Sequence, residues 1–161
     1  MQTPRLDFII NIKPETFIRY KSGSIIGVIW LTIGDWDFPQ VGWDDFVVVI
    51  LGWWLQEILQ VLIGCRERVL CRFMDGSYLF DILPLDDETV SVKFYKDWDS
   101  QAAGQYLREV MCKTQSVASA ILSAARTAIE ICVSNGWLGR DLDTLMARCS
   151  QLESYVKERK G

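Results

Sequence analysis

Apolar and polar positions alternate in short runs over the first fifth of the chain. RLDFIINI (5–12), ETFIRYK (15–21) and SIIGVIWLTI (24–33) read as three strands, with Lys13-Pro14 and Ser22-Gly23 as the turns between them. The pattern then changes abruptly. From Phe46 to Ile63 only Gly52, Gln56, Glu57 and Gln60 interrupt an apolar run, and Gly52, Gln56 and Gln60 follow at i, i+4, i+8. On a helix that spacing makes one narrow polar stripe on an apolar cylinder, so the segment 45–63 reads as a core helix with one grazing exposed edge. Asp44 or Asp45 is placed to cap its first turn, and Gly64 to end it in a left-handed conformation. The β-branched run Val47, Val48, Val49 and Ile50 leaves a strand open as the alternative for its first half.

Beyond the helix, RERVLCRFM and SYLFDILPL are split by Asp75-Gly76, two residues that tolerate positive φ and so signal a hairpin. TVSVKFYK, 89–96, alternates as a further strand. These runs predict an antiparallel sheet of five or six strands. From Asp99 or Ser100 to Asn135 the chain reads as helical, with Leu107, Met111, Thr114, Ala118, Ile121, Ala125, Ala128 and Cys132 on one stripe. Asn135-Gly136 ends that helix, and Asp141 caps a last one whose inner face is Leu142, Leu145, Met146, Cys149, Leu152 and Val156. The expectation is one α+β domain over 1–161: the sheet with its buried helix over 1–98, then a helical hairpin over 99–160.

Charge sharpens this picture. The chain carries 17 basic and 21 acidic residues, net −4, which argues against general nucleic-acid binding. The negative charge is not spread evenly: residues 33–62 hold five acids and no base, and residues 75–99 hold seven acids against Lys93 and Lys96. Folded onto one side, these two blocks would favour a basic partner. The loop from Gly34 to Asp45 joins Asp35, Asp37, Asp44 and Asp45 to Trp36, Phe38 and Trp43, a composition suited to a contact surface.

Candidate chemistry is sparse. With no histidine, the usual general base and the commonest metal ligand are missing. The five cysteines form no CxxC pair and are odd in number; Cys112, Cys132 and Cys149 fall in helical patterns where small apolar residues belong, as reduced core thiols would. Carboxylates are the one abundant acid/base class, but Asp86-Asp87 reads as a turn after Pro84 and Asp99 as a helix cap. No calcium-loop, phosphate-loop, dinucleotide or nucleophile-elbow spacing occurs. The chain is therefore expected to have no catalytic residue, no metal and no cofactor. The 18-residue run 46–63 approaches membrane-spanning length, but Glu57 at its centre would cost roughly 2.5–3.5 kcal/mol on insertion, so a core helix is expected instead. Neither a membrane nor an export signal is expected, and the cytoplasm is the expected location.

The order Phe38-Pro39, Trp43, Asp45-Phe46, Trp53-Trp54, then Phe73-Met74-Asp75-Gly76 and Tyr78, resembles a family of bacterial immunity proteins from polymorphic toxin systems. That family reads F-P, W-x-D-F, an apolar helix with W-W, and an F-M-D-G-P-Y hairpin; Ser77 stands here in place of the proline, and the likeness covers about residues 34–80. Trp53, Trp54, Phe73 and Tyr78 read as core packing. The resemblance implies a cytosolic protein that blocks one cognate toxin, usually encoded beside it and often a nuclease with a basic cleft. The residues expected to meet that toxin are Asp35, Trp36, Asp37, Phe38 and Trp43, with Asp86, Asp87 and Glu88 as a second patch. Two other classes stand beside it. The outer face of the C-terminal hairpin could clamp an amphipathic partner helix, as in an effector chaperone or adaptor, and a carboxylate enzyme would require a concave pocket holding two acids with perturbed pKa values. The small-residue stripe 107–132 could also form a homodimer contact, although packing against the sheet explains it equally well.

Overall fold

The computed structural model describes residues 4–64, 67–98 and 104–160. The chain runs β1 (Phe8–Arg19), β2 (Ile25–Ile33), β3 (Trp36–Phe38), β4 (Asp44–Asp45), α1 (Val47–Leu62), β5 (Val69–Arg72), β6 (Leu79–Pro84), β7 (Thr89–Lys96), β8 (Gln105–Lys113), α2 (Thr114–Ser134) and α3 (Arg140–Lys160). The class is α+β with antiparallel pairing, but the strands form two sheets of four rather than one of five or six. The first has the order β1-β2-β3, with the short β4 also pairing with β2; the second is the meander β5-β6-β7-β8. Outside the named strands, a parallel bridge between Arg5 and Met111 links the N-terminal segment to β8, and the Leu6 amide donates to the Met111 carbonyl at 2.8 Å.

Lys13-Pro14 is not a turn. Residues 8–19 are one long strand whose register against β2 slips between Lys13 and Ile18, a bulge that absorbs the proline without reversing the chain. Ser22-Gly23 does turn: the Gly23 amide donates to the Tyr20 carbonyl at 2.9 Å, and Gly23 has φ +94. Along β2, Ile29, Leu31 and Ile33 are fully buried at every second position, while Thr32 on the opposite face bonds to polar neighbours.

α1 is helical from its first valine, because burial of Val47, Val48 and Ile50 outweighs the weak strand preference of β-branched residues. Neither Asp44 nor Asp45 caps it; the N-cap is Phe46, with no side-chain cap bond. The polar stripe is partly covered as well. Gly52 is buried, and its carbonyl accepts from the Arg148 guanidinium of α3 at 2.9 Å. Gly64 ends the helix region with φ +73, in the left-handed conformation expected of it.

The largest departure from the sequence expectation concerns residues 105–113, which form β8 and not the start of a helix. Leu107 and Met111 stand four apart and imitate a helical stripe, but the buried positions are Val110 and Cys112, two apart, as β-pairing with β7 requires. Cys112 is therefore a strand thiol. The expected helix start and cap at Asp99 or Ser100 lies outside the described residues. From Thr114 on, the stripe holds: Thr114, Ala118, Ile121, Ala125, Ala128 and Cys132 are all buried. Asn135 and Gly136 close α2, and the Trp137 amide returns to the Cys132 carbonyl at 2.8 Å. In α3, Leu142, Leu145, Cys149 and Leu152 face inward, whereas Met146 is exposed. Asp141 sits inside the first turn rather than before it, where its charge suits the positive helix end.

The inner face of α2 packs on β1 and α1, and α3 lies chiefly along α1. The small-residue stripe of α2 is thus packed within the chain. α2 is long and apolar enough to cross a membrane by length and composition; α1, at 16 residues, is shorter.

Candidate functional site

Asp45 sits at the junction of three chain segments and is fully buried. Its Oδ1 accepts from the amides of Phe46 at 2.7 Å and Met74 at 3.1 Å; its Oδ2 accepts from the amide of Asp75 at 3.1 Å and the indole of Trp43 at 3.0 Å. Burial pushes this carboxyl above the usual carboxylate range, and the four hydrogen bonds pull it back down. The result is a tie between the loop 34–45, the start of α1 and the turn 73–78. Trp43 strengthens that tie by an edge-to-face contact with Tyr78 at 5.1 Å and by lying over Gly76, where a Cβ would come within 2.8 Å of its ring.

The rest of the 34–45 loop is fixed the same way. Phe38 is 1% exposed and packs against Phe73, Tyr78 and Phe94, preceding a cis peptide to Pro39. Trp36 is half-buried edge-on against Phe94 at 5.0 Å, with the Arg108 guanidinium over its ring at 4.8 Å. Asp37 accepts from the Thr32 hydroxyl at 2.6 Å and the Trp30 indole at 3.1 Å, and Thr32 in turn accepts from the Asn11 amide at 2.7 Å. Four of the five residues the sequence assigns to the first contact patch therefore hold the loop in place. Asp35 alone among them is exposed.

What the loop presents outward is a different set. Asp35, Val41 and Asp44 are exposed on it, and Met74 and Asp75 are exposed on the turn that Asp45 binds to it; Val41 is 65% exposed and Met74 49%. Neither segment contains a lysine or arginine. Met74 and Asp75 escaped the sequence reading because Asp75-Gly76 registers only as a hairpin, and Val41 because it is a lone aliphatic residue in the loop. The signal that could have found them is the W-x-D spacing, which puts a buried acceptor next to an exposed acid.

The second patch stands apart. Asp86 accepts from the amides of Glu88 and Thr89, each at 2.8 Å, which is the turn role its position after Pro84 suggests. The Glu88 bond, before the others, holds its carboxyl below the usual range. Asp86, Asp87 and Glu88 are exposed at the β6–β7 turn, whereas the turn 73–78 enters β6 at its other end. Asp75 of the second acidic block thus joins the 34–45 loop, while Asp86, Asp87 and Glu88 lie at the other end of β6.

Among the described residues no group of three or more His, Cys, Asp or Glu side chains is placed to hold a metal ion. Cys71, Cys112, Cys132 and Cys149 are buried free thiols, and burial drives Cys112 up to about 12 and Cys149 to about 11, far from the reactive thiolate range. The motif that carries the family likeness is one spatial cluster: Phe38, Trp43, Asp45, Trp54, Phe73 and Tyr78 join loop, helix and turn, and Trp53 faces outward. No protein-family model, curated protein or solved structure matches the chain.

Proposed function

We propose that this is a non-enzymatic immunity protein that binds and neutralises a cognate bacterial toxin in the cytosol by direct contact. The observation that carries the reading is the acidic crest of Asp35, Asp44 and Asp75 with exposed Val41 and Met74, immobilised on an aromatic core through Asp45. A surface already held in its binding shape loses little entropy when it docks. Its acids favour a toxin with a basic surface and speed the encounter, and the two apolar side chains supply area that a partner can desolvate.

This moves the contact residues from the aromatic positions to their exposed neighbours and leaves Trp36, Phe38 and Trp43 as supports. The Asp86, Asp87, Glu88 turn is a separate patch that this site does not need. Replacing Asp35 and Asp44 together by Lys tests the reading. With the toxin in hand, the association rate should fall about tenfold or more at low salt, and the difference should shrink as salt rises. An association rate equal to that of the parent would remove this surface from the interface.

A further inference from the structure

One face of the first sheet turns away from the core. Phe8, Ile29, Leu31 and Ile33 join the core on the side where α2 lies against β1 and α1 against β2. The alternate positions point the other way. Among them Ile9 is 47% and Ile18 55% exposed, Ile26 and Val28 are half-buried, and none of the four belongs to the core cluster. Ile18 pairs directly with Ile26 across the strands. Apolar residues grouped in this way on a sheet surface mark a contact face, where single ones would not.

The charges on this face decide what fits it. Lys13 lies in register with Val28, and Val28 with Asp44 on β4, so one row across the sheet reads cation, apolar, anion. Neighbouring strands stand about 4.8 Å apart, which sets the two charges at equal distances on either side of Val28. Among the described residues neither has an ion-pair partner: Lys13 Nζ leans over the Trp30 ring at 5.9 Å, and Asp44 is exposed. Asp37, the other acid on this face, is held by Thr32 and Trp30, and Glu15 follows in the bulge beyond the row.

A partner of one sign satisfies only half of that row, because a basic surface meets Lys13 and an acidic one meets Asp44. A second copy of the chain satisfies both. We propose that two copies associate through this face, related by a two-fold axis that runs along β2 at Val28. The rotation lays Lys13 of each copy against Asp44 of the other and Val28 against its own counterpart. Two ion pairs then flank an apolar centre, in the self-complementary form that a closed dimer requires. Strand geometry gives the face about 25 Å along the strands and about 14 Å across them, which places the dimer among the weak, reversible interfaces. Asp44 also belongs to the acidic crest, so a partner that takes it there must open the dimer. Self-association itself does not rest on the immunity reading.

Sedimentation equilibrium of the full-length protein tests this. The mass should rise reversibly from that of one chain, 18.5 kDa, toward twice that value as the concentration climbs from about 10 µM to about 1 mM, and no further. Lys13→Glu alone and Asp44→Lys alone should each weaken association by about tenfold or more, since each sets like charges face to face. The two single variants mixed together should associate as the parent does, and so should a chain carrying both substitutions, because opposite signs then meet again across the axis. Damage to the fold at either position would not be repaired by mixing. A mass that stays at one chain throughout, an association that the single variants leave unchanged, or a mixture that fails to associate would overturn the proposal. Growth beyond two copies would overturn it too, in favour of an open head-to-tail contact.

Discussion

Asp45 accepts from four donors on three stretches of chain, so its replacement is felt in all of them at once. Asn keeps the shape but turns an NH2 group toward two of those donors. Asp45→Asn should therefore destabilise the fold by about 2–3 kcal/mol in urea unfolding, and Trp43→Phe, which loses one bond and keeps the ring, by about 1 kcal/mol. An Asp45→Asn variant within about 0.5 kcal/mol of the parent would show that the tie carries little. The thiols give a second check at this scale. Their proton is held more tightly in the folded state, so the stability it contributes is complete at neutral pH and lost as pH climbs past the ordinary thiol value of 9.0. A thiol reagent at pH 8 should leave Cys71, Cys112, Cys132 and Cys149 unlabelled in the native protein and label them after denaturation; rapid native labelling of any of the four would contradict their burial.

Two glycines separate what an element requires from what it merely contains. Gly52 lies inside α1, where a Cβ would meet the Arg148 guanidinium at an ordinary 3.5 Å, so Gly52→Ala should raise stability by about 0.5–1 kcal/mol through helix propensity. Gly76 has φ +127 and would drive a Cβ into Trp43, so Gly76→Ala should cost about 1–3 kcal/mol; thermal melts of the pair should shift in opposite directions. Elements were legible in the sequence where one period dominated. β7 occupies the very residues, Thr89 to Lys96, that alternate, and α1 follows its apolar run. They were illegible where two periods coexist: in β8, Leu107 and Met111 offer a helical spacing, and only pairing with β7 selects the strand. Pro14 likewise looks like a turn because its compensation, a register slip against β2, is a property of the partner strand. The site was half legible for a related reason. Asp35 is outward as composition suggests, but whether Trp36, Asp37 and Phe38 face solvent depends on Phe94, Thr32 and Phe73, which no local pattern names.

At the scale of the molecule, two sheets and three helices hold one acidic crest at a junction and leave Asp86, Asp87 and Glu88 in a turn at the far end of β6. Net charge alone does not predict this; the location of the uncompensated acids does. Lys substitution at Asp86 and Asp87 should accordingly leave toxin binding within about twofold, while the same change at Asp35 and Asp44 should not. The central claim is that the crest blocks a toxin, and co-expression with the product of the adjacent open reading frame tests it most directly, scored by cell survival and by co-elution on a sizing column. The account predicts that the neighbour kills alone, that this protein rescues the cells and co-elutes with it, and that the Asp35→Lys, Asp44→Lys protein, folded as the parent, does neither. A harmless neighbour with no complex, or full rescue by the double variant, would contradict it.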